Sequence, residues 1–225
     1  MPWRARLPHQ PPARLVCGVT QANRVLLDSS RGLDRWQLLE GCAQALAVFS
    51  DGTTGGRLAA LTAVRFIRPA ETHALVTVEG SRGIGTPALQ QWRVIAHDER
   101  GPLLTGVLTI AVAPLPPDNN APTQPTSQHS HECDPVATAA AIDDYFPADL
   151  PMLAGHFRDT PLIPGVYLLA LLERHLGRCA TGVTRAKFLH PVYPEERLTV
   201  TPGRILRGEL PVCVATLVTN SLSVK

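Results

Sequence analysis

Two side chains in this sequence stand where proton transfer could occur. His156 lies in Gly155-His156-Phe157, ahead of a Pro-rich stretch (158–165) that leads into an apolar run, and Glu40 lies in Leu38-Leu39-Glu40-Gly41-Cys42-Ala43. An imidazole titrates near neutral pH, so it can take up a proton under working conditions. A carboxyl among apolar neighbours on a buried helix has its charged form disfavoured, which lets it hold a proton. Gln44, one turn after Glu40, can brace that carboxyl by a hydrogen bond. Pro164-Gly165-Val166 opens a helix whose first N–H groups lack intrahelical partners, so the amides of Gly165 and Val166 can polarise a carbonyl. Glycine at 165 is expected to leave room for a ligand beside the backbone, and Pro164 removes a competing donor.

Other chemistry-bearing patterns carry less. His129-Ser130-His131-Glu132-Cys133 packs four potential zinc ligands into five residues, but no second ligand pair follows at zinc-finger spacing. Gly80-Ser81-Arg82-Gly83-Ile84-Gly85 is not a dinucleotide fingerprint and reads as a turn between strands. Arg174 and His175 fall late in a helix, where positive charge suits the C-terminal end. Five cysteines, at 17, 42, 133, 179 and 213, form no C-x-x-C pair, which suggests reduced and mostly buried thiols in a cytoplasmic protein. No metal or cofactor is expected.

The elements that must position these groups follow from composition and periodicity. The chain has 225 residues, 44% hydrophobic and 18% charged, which is enough for a real core. A net charge of +2 gives no ground for a nucleic-acid surface, and no apolar run approaches the ~20 residues of a membrane span. The expectation is a soluble, unexported protein. Leu33–Phe49 has helical spacing of Trp36, Leu39, Ala43 and Leu46 and is apolar nearly all round, hence a buried helix. Strand-like segments follow at 61–69, 73–80, 90–101 and 103–112. Residues 113–137, rich in Pro, Asn, Gln, Ser and Thr, read as a linker. After it comes a second series: an entry strand, the helix Val166–Leu176 closed by Gly177, and strands at 183–191, 197–206 and 210–219. Arg65-Phe66-Ile67-Arg68-Pro69 is echoed by Lys187-Phe188-Leu189-His190-Pro191, each on the first strand after its helix. Two copies of one fold, packed as an intrachain pseudo-dimer with side-by-side helices, are the reading.

The segment Gly155–Glu173 resembles the G-H-F-P-x-x-P-x-x-P-G-V signature of the hotdog-fold 3-hydroxyacyl acyl-carrier-protein dehydratases. His156, Phe157, Pro161, Pro164 and Gly165 fall in register, while Arg158 stands in place of the usual proline. Phe146–Phe157 and Lys187–Val200 are also similar to that family, so the likeness covers about 80 residues. Family members carry an acidic residue on the central helix fourteen positions after the histidine; here that position is Ala170. Leu38–Ala45 in the first half resembles the family's acid-bearing helix and supplies Glu40, but fourteen residues before it stands Leu26. The first half also looks like the small partner subunits of aryl-polyene type gene clusters.

In that family the histidine and the acid come from opposite subunits. The resemblance therefore implies an α+β double hotdog with one composite site, His156 as base and Glu40 as acid, the opposite site (Leu26 with Ala170) being dead. The expected domains are an N-terminal hotdog at 1–112, the linker at 113–137 and a C-terminal hotdog at 138–225. The implied reaction is dehydration of a 3-hydroxyacyl thioester carried on acyl carrier protein to the trans-2-enoyl thioester, with Gly165, Val166, Gln44 and Arg158 contacting substrate. Because the carrier is acidic, Arg158, and less so Arg65, Arg68 and Lys187, are candidate contacts for it. A homodimer of double hotdogs is compatible with the same likeness. Two rivals stand beside this reading: a hotdog thioesterase, and a non-catalytic module that binds acyl chains or a partner.

Overall fold

In the computed structural model the described residues are 15–21, 23–49, 56–112, 142–150, 153 and 161–220. Asp34 starts the first helix, α1 (Arg35–Phe49): its Oδ1 accepts from the N–H of Trp36 at 2.8 Å and of Gln37 at 2.9 Å. Gln37 Oε1 accepts from the Asp34 N–H in return, completing a reciprocal cap. From Trp36 to Cys42 every residue of α1 is buried, as expected of a helix without a polar face. The second helix, α2 (Gly165–Leu176), begins after Pro164, which offers no side-chain cap. It ends at Gly177, whose φ of 62° and N–H bonds to the Glu173 and Arg174 carbonyls close it as its position predicts.

Among the described residues, eleven strands form one antiparallel sheet. In chain order they are β1 (Val16–Gln21), β2 (Arg24–Leu27), β3 (Arg57–Phe66), β4 (Val76–Arg82), β5 (Leu89–Asp98), β6 (Gly101–Ala111), β7 (Ile142–Asp144), β8 (Ala180–Phe188), β9 (Leu198–Thr201), β10 (Arg204–Arg207) and β11 (Leu210–Thr219). Their order across the sheet is β1-β2-β4-β5-β6-β3-β8-β11-β10-β9-β7. Alternation makes β5 legible: Trp92, Val94 and Ala96 are buried while Gln91, Arg93 and Ile95 are exposed. One expected strand, 197–206, is two: Pro202 and Gly203, the latter at φ 74°, turn the chain between β9 and β10. The hairpin of β1 and β2, turning through Asn23 at φ 61°, was not foreseen as a pair.

The two series meet where β3 pairs with β8. Ala60 lies opposite Lys187, Leu61 opposite Ala186, Thr62 opposite Arg185, Val64 opposite Val183 and Arg65 opposite Gly182. Both strands are the first after their helix, so the sheet is continuous through the echoed elements. Glycine at 182 is required there, because a Cβ would come 2.5 Å from the Val64 carbonyl oxygen. Each helix packs on strands of its own series, and α1 touches α2 through Trp36, whose Nε1–H donates to Glu173 Oε2 at 2.7 Å. The expected linker at 113–137 lies outside the described residues.

Among the described cysteines, Cys42 and Cys213 are buried but Cys17 and Cys179 are exposed, which corrects the expectation of mostly buried thiols. β1 and the turn after α2 lie at the surface, where a thiol sits without a core to enter.

Candidate active site

Glu40 is 5% exposed, in the middle of α1. Gln44, one turn on, donates through Nε2 to Glu40 Oε1 at 3.0 Å. Its own Oε1 accepts from the Leu15 N–H at 2.8 Å, so the backbone ahead of β1 fixes which end of the amide faces the carboxyl. Burial pushes the Glu40 carboxyl from the ordinary 4.5 up to about 7, with the Gln44 hydrogen bond pulling it part of the way back. Near neutral pH the group is therefore divided between its protonated and charged forms. Among the described residues no cation pairs with it.

The Glu40 carboxyl and Gln44 line a cavity of about 520 Å³. One wall is α1, from Glu40 through Ala43 and Ala47 to Val48, together with the start of β3. The other is 162–165, Leu168, Phe188 at the end of β8 and the stretch 189–192 that follows it. Each series thus supplies one side, and the carboxyl of α1 looks toward the N-terminal end of α2. Small side chains at 43 and 47, one turn apart, leave a groove along α1 with a mainly apolar surround, a shape suited to an alkyl group.

Of the substrate contacts expected from sequence, Gln44 and Gly165 line this cavity; Val166 is fully buried in the core and is not part of the lining. The reason for glycine at 165 differs from the expected one. A Cβ there would come 2.9 Å from the Phe188 ring, so glycine lets α2 pack on β8 rather than opening space for a ligand. His156 and Arg158 lie outside the described residues, as does the His129–Cys133 cluster. Arg68 is bound to Asp98, Nη1 to Oδ2 at 2.9 Å, and to the Gly101 carbonyl; Arg65 and Lys187 are exposed and do not line the cavity. Two basic residues that sequence reasoning passed over do line it: Arg57, at the start of β3, and His190, within the echoed Lys187–Pro191 segment. Nothing local marks Arg57, whose place depends on a strand pairing more than a hundred residues away.

A second cavity, of about 300 Å³, occupies the related place at the other end of the β3–β8 seam. Ala170 lines it where the first has Glu40. Glu173 there accepts from Trp36 Nε1, accepts from the Ala180 N–H at 2.5 Å and pairs with Arg35 at 3.1 Å, while Arg174 pairs with Asp144. Glu173, Trp36, Arg35, Arg174 and Asp144 of this second place are thus bound to one another, while the Tyr167 hydroxyl is buried there without a hydrogen-bond partner. Leu26 does not line it; that residue sits on β2, opposite Thr77 of β4.

The fold is shared with solved structures of low sequence identity. The 12:0-ACP thioesterase from Umbellularia californica matches with a TM-score of 0.60 at 10% identity, over 91% of this chain and 99% of that one. An oleoyl thioesterase (putative) from Lactobacillus plantarum matches at 0.57 and 12% identity, over 84% and 91%. The tesB protein MAP1729c of Mycobacterium avium subs paratuberculosis matches at 0.56 and 12% identity, over 91% and 95%. No curated protein matches the sequence significantly. The architecture is that of the hotdog-fold thioesterases and dehydratases. Within it, residues 131–206, about a third of the chain, match the family model of the ApeI-like proteins, described as ApeI dehydratase, so this segment is similar in sequence to that family.

Proposed function

We propose that the chain is a double hotdog, with hotdogs at 1–112 and 138–225 joined by a linker at 113–137, that dehydrates a 3-hydroxyacyl thioester at one composite site. The observation that carries this is the Glu40 carboxyl: buried, braced by Gln44, divided between protonated and charged forms near neutral pH, and lining a cavity whose far wall belongs to the dehydratase-like segment. His156, six residues before the cavity wall at Leu162, takes the proton from C2. The amide of Gly165 polarises the thioester carbonyl as negative charge grows on its oxygen. Protonated Glu40 gives its proton to the departing 3-hydroxyl, which leaves as water and closes the trans double bond. Gln44 holds Glu40 in position throughout. The thioester is carried on acyl carrier protein, the setting is cytoplasmic, and no metal or cofactor enters the chemistry.

His156→Ala and Glu40→Gln are each expected to lower turnover of a 3-hydroxyacyl carrier-protein thioester by about 10²–10⁴-fold, as removal of a positioned acid or base does. Near wild-type turnover in either variant overturns the assignment. A second reading, hotdog thioesterase, is favoured by the thioesterase likenesses of the whole fold. Hydration of a crotonyl thioester without release of free thiol supports dehydration; thiol release without hydration supports hydrolysis.

A further inference from the structure

At the first cavity the β3–β8 ladder ends between two basic side chains, one from each series. The β3–β8 pairs run from Arg65 with Gly182 to Ala60 with Lys187, and beyond that last pair stand Arg57, at the start of β3, and His190, just past the end of β8. Both residues line the cavity that holds Glu40. His190 is exposed and its neighbour Leu189 is 45% exposed, so this end of the seam opens to solvent. Arg57 is half-buried, and its Nε is shut from solvent without a hydrogen-bond partner. An N–H in that state is costly unless an acceptor arrives. Past the opposite end of the seam stands Arg68, and there the arginine is taken up by Asp98 and the Gly101 carbonyl. Arg35 at the second cavity also has a shut Nε without a partner, but its Nη2 is paired with Glu173 at 3.1 Å, whereas among the described residues no carboxylate pairs with Arg57.

We propose that Arg57 and His190 form an oxyanion subsite at the mouth of this cavity, which holds the phosphate of a phosphopantetheine arm while the acyl end lies against Glu40. A guanidinium presents a planar fork of N–H donors that matches phosphate oxygens, and an imidazole N–H from the segment just past β8 closes the other side. The same phosphate chemistry comes on a carrier protein or on coenzyme A. This inference rests on the thioester reading of the site, which it deepens by naming the part of the substrate that is recognised.

Three 3-hydroxyacyl thioesters separate the contribution: one on N-acetylcysteamine, which has no phosphate, one on phosphopantetheine and one on coenzyme A. Arg57→Ala and His190→Ala should raise KM about tenfold for the two phosphate-bearing substrates, leave kcat near wild type, and leave the N-acetylcysteamine thioester unaffected. Arg57→Lys, which keeps the charge, should restore part of the loss. An equal change on all three substrates, or none on any, overturns the subsite. Calorimetry with phosphopantetheine and pantetheine reads the same contact without turnover: wild type should prefer the phosphorylated compound about tenfold, and Arg57→Ala should lose the preference. If wild type shows that preference but dehydrates none of the thioesters, the reaction is wrong and the subsite stands. Equal binding of the two compounds by wild type removes the subsite whatever the reaction.

Discussion

Replacement of Glu40 by Gln tests whether burial of this carboxyl is what prepares it for proton transfer. Gln keeps the shape, and its amide oxygen can still accept from Gln44 Nε2, but it cannot ionise. In wild type the folded protein raises the carboxyl from 4.5 to about 7, because desolvation penalises the charged form. A group raised on folding lends stability that is fully present below its unfolded pKa and is lost as the pH climbs through its folded one. The gap of about 2.5, at about 1.4 kcal/mol for each, gives ~3 kcal/mol lost by wild type between pH 4.5 and about pH 7. Glu40→Gln has no such loss at this position. Urea unfolding of both proteins from pH 4.5 to 8 should show similar stability at the acid end, with the variant ahead by a few kcal/mol at pH 8 and with turnover severely reduced throughout. A stability difference that does not change with pH, or that moves the other way, would refute the idea that Glu40 is held partly protonated by its surroundings.

Two further outcomes bear on what holds the site together. Gly182→Ala should cost about 1–3 kcal/mol in urea unfolding, because its Cβ would press on the Val64 carbonyl at the β3–β8 seam; an unchanged midpoint would mean the strands are not that close. Glu173→Ala should cost about 2 kcal/mol or more by leaving Trp36 Nε1 and Arg35 without their acceptor, while kcat stays within a few-fold of wild type because Glu173 lies at the second cavity. Loss of activity with unchanged stability would instead place Glu173 in the chemistry.

Much of the local structure is decided by residues close together in the chain. The all-round apolarity of Trp36–Leu46 makes α1 a buried helix wherever it packs, and Asp34 with Gln37 caps it from within three residues. Gly177 ends α2, and alternation at Trp92, Val94 and Ala96 marks β5. Glu40 and Gln44 were legible because a carboxyl and an amide one turn apart on an apolar helix must meet. The Pro202-Gly203 turn was equally local and was passed over because the flanking residues read as one β-rich run. The rest had no local signal. The pairing of β3 with β8 joins residues more than a hundred positions apart, and that pairing brings Arg57 and His190 to one cavity and forbids a side chain at 182, while the ladders of β3, β6 and β5 bring Arg68 to Asp98. Gly165 meets the Phe188 ring rather than open space for the same reason: the neighbour that decides what a glycine is for comes from another strand, and only folding brings it there.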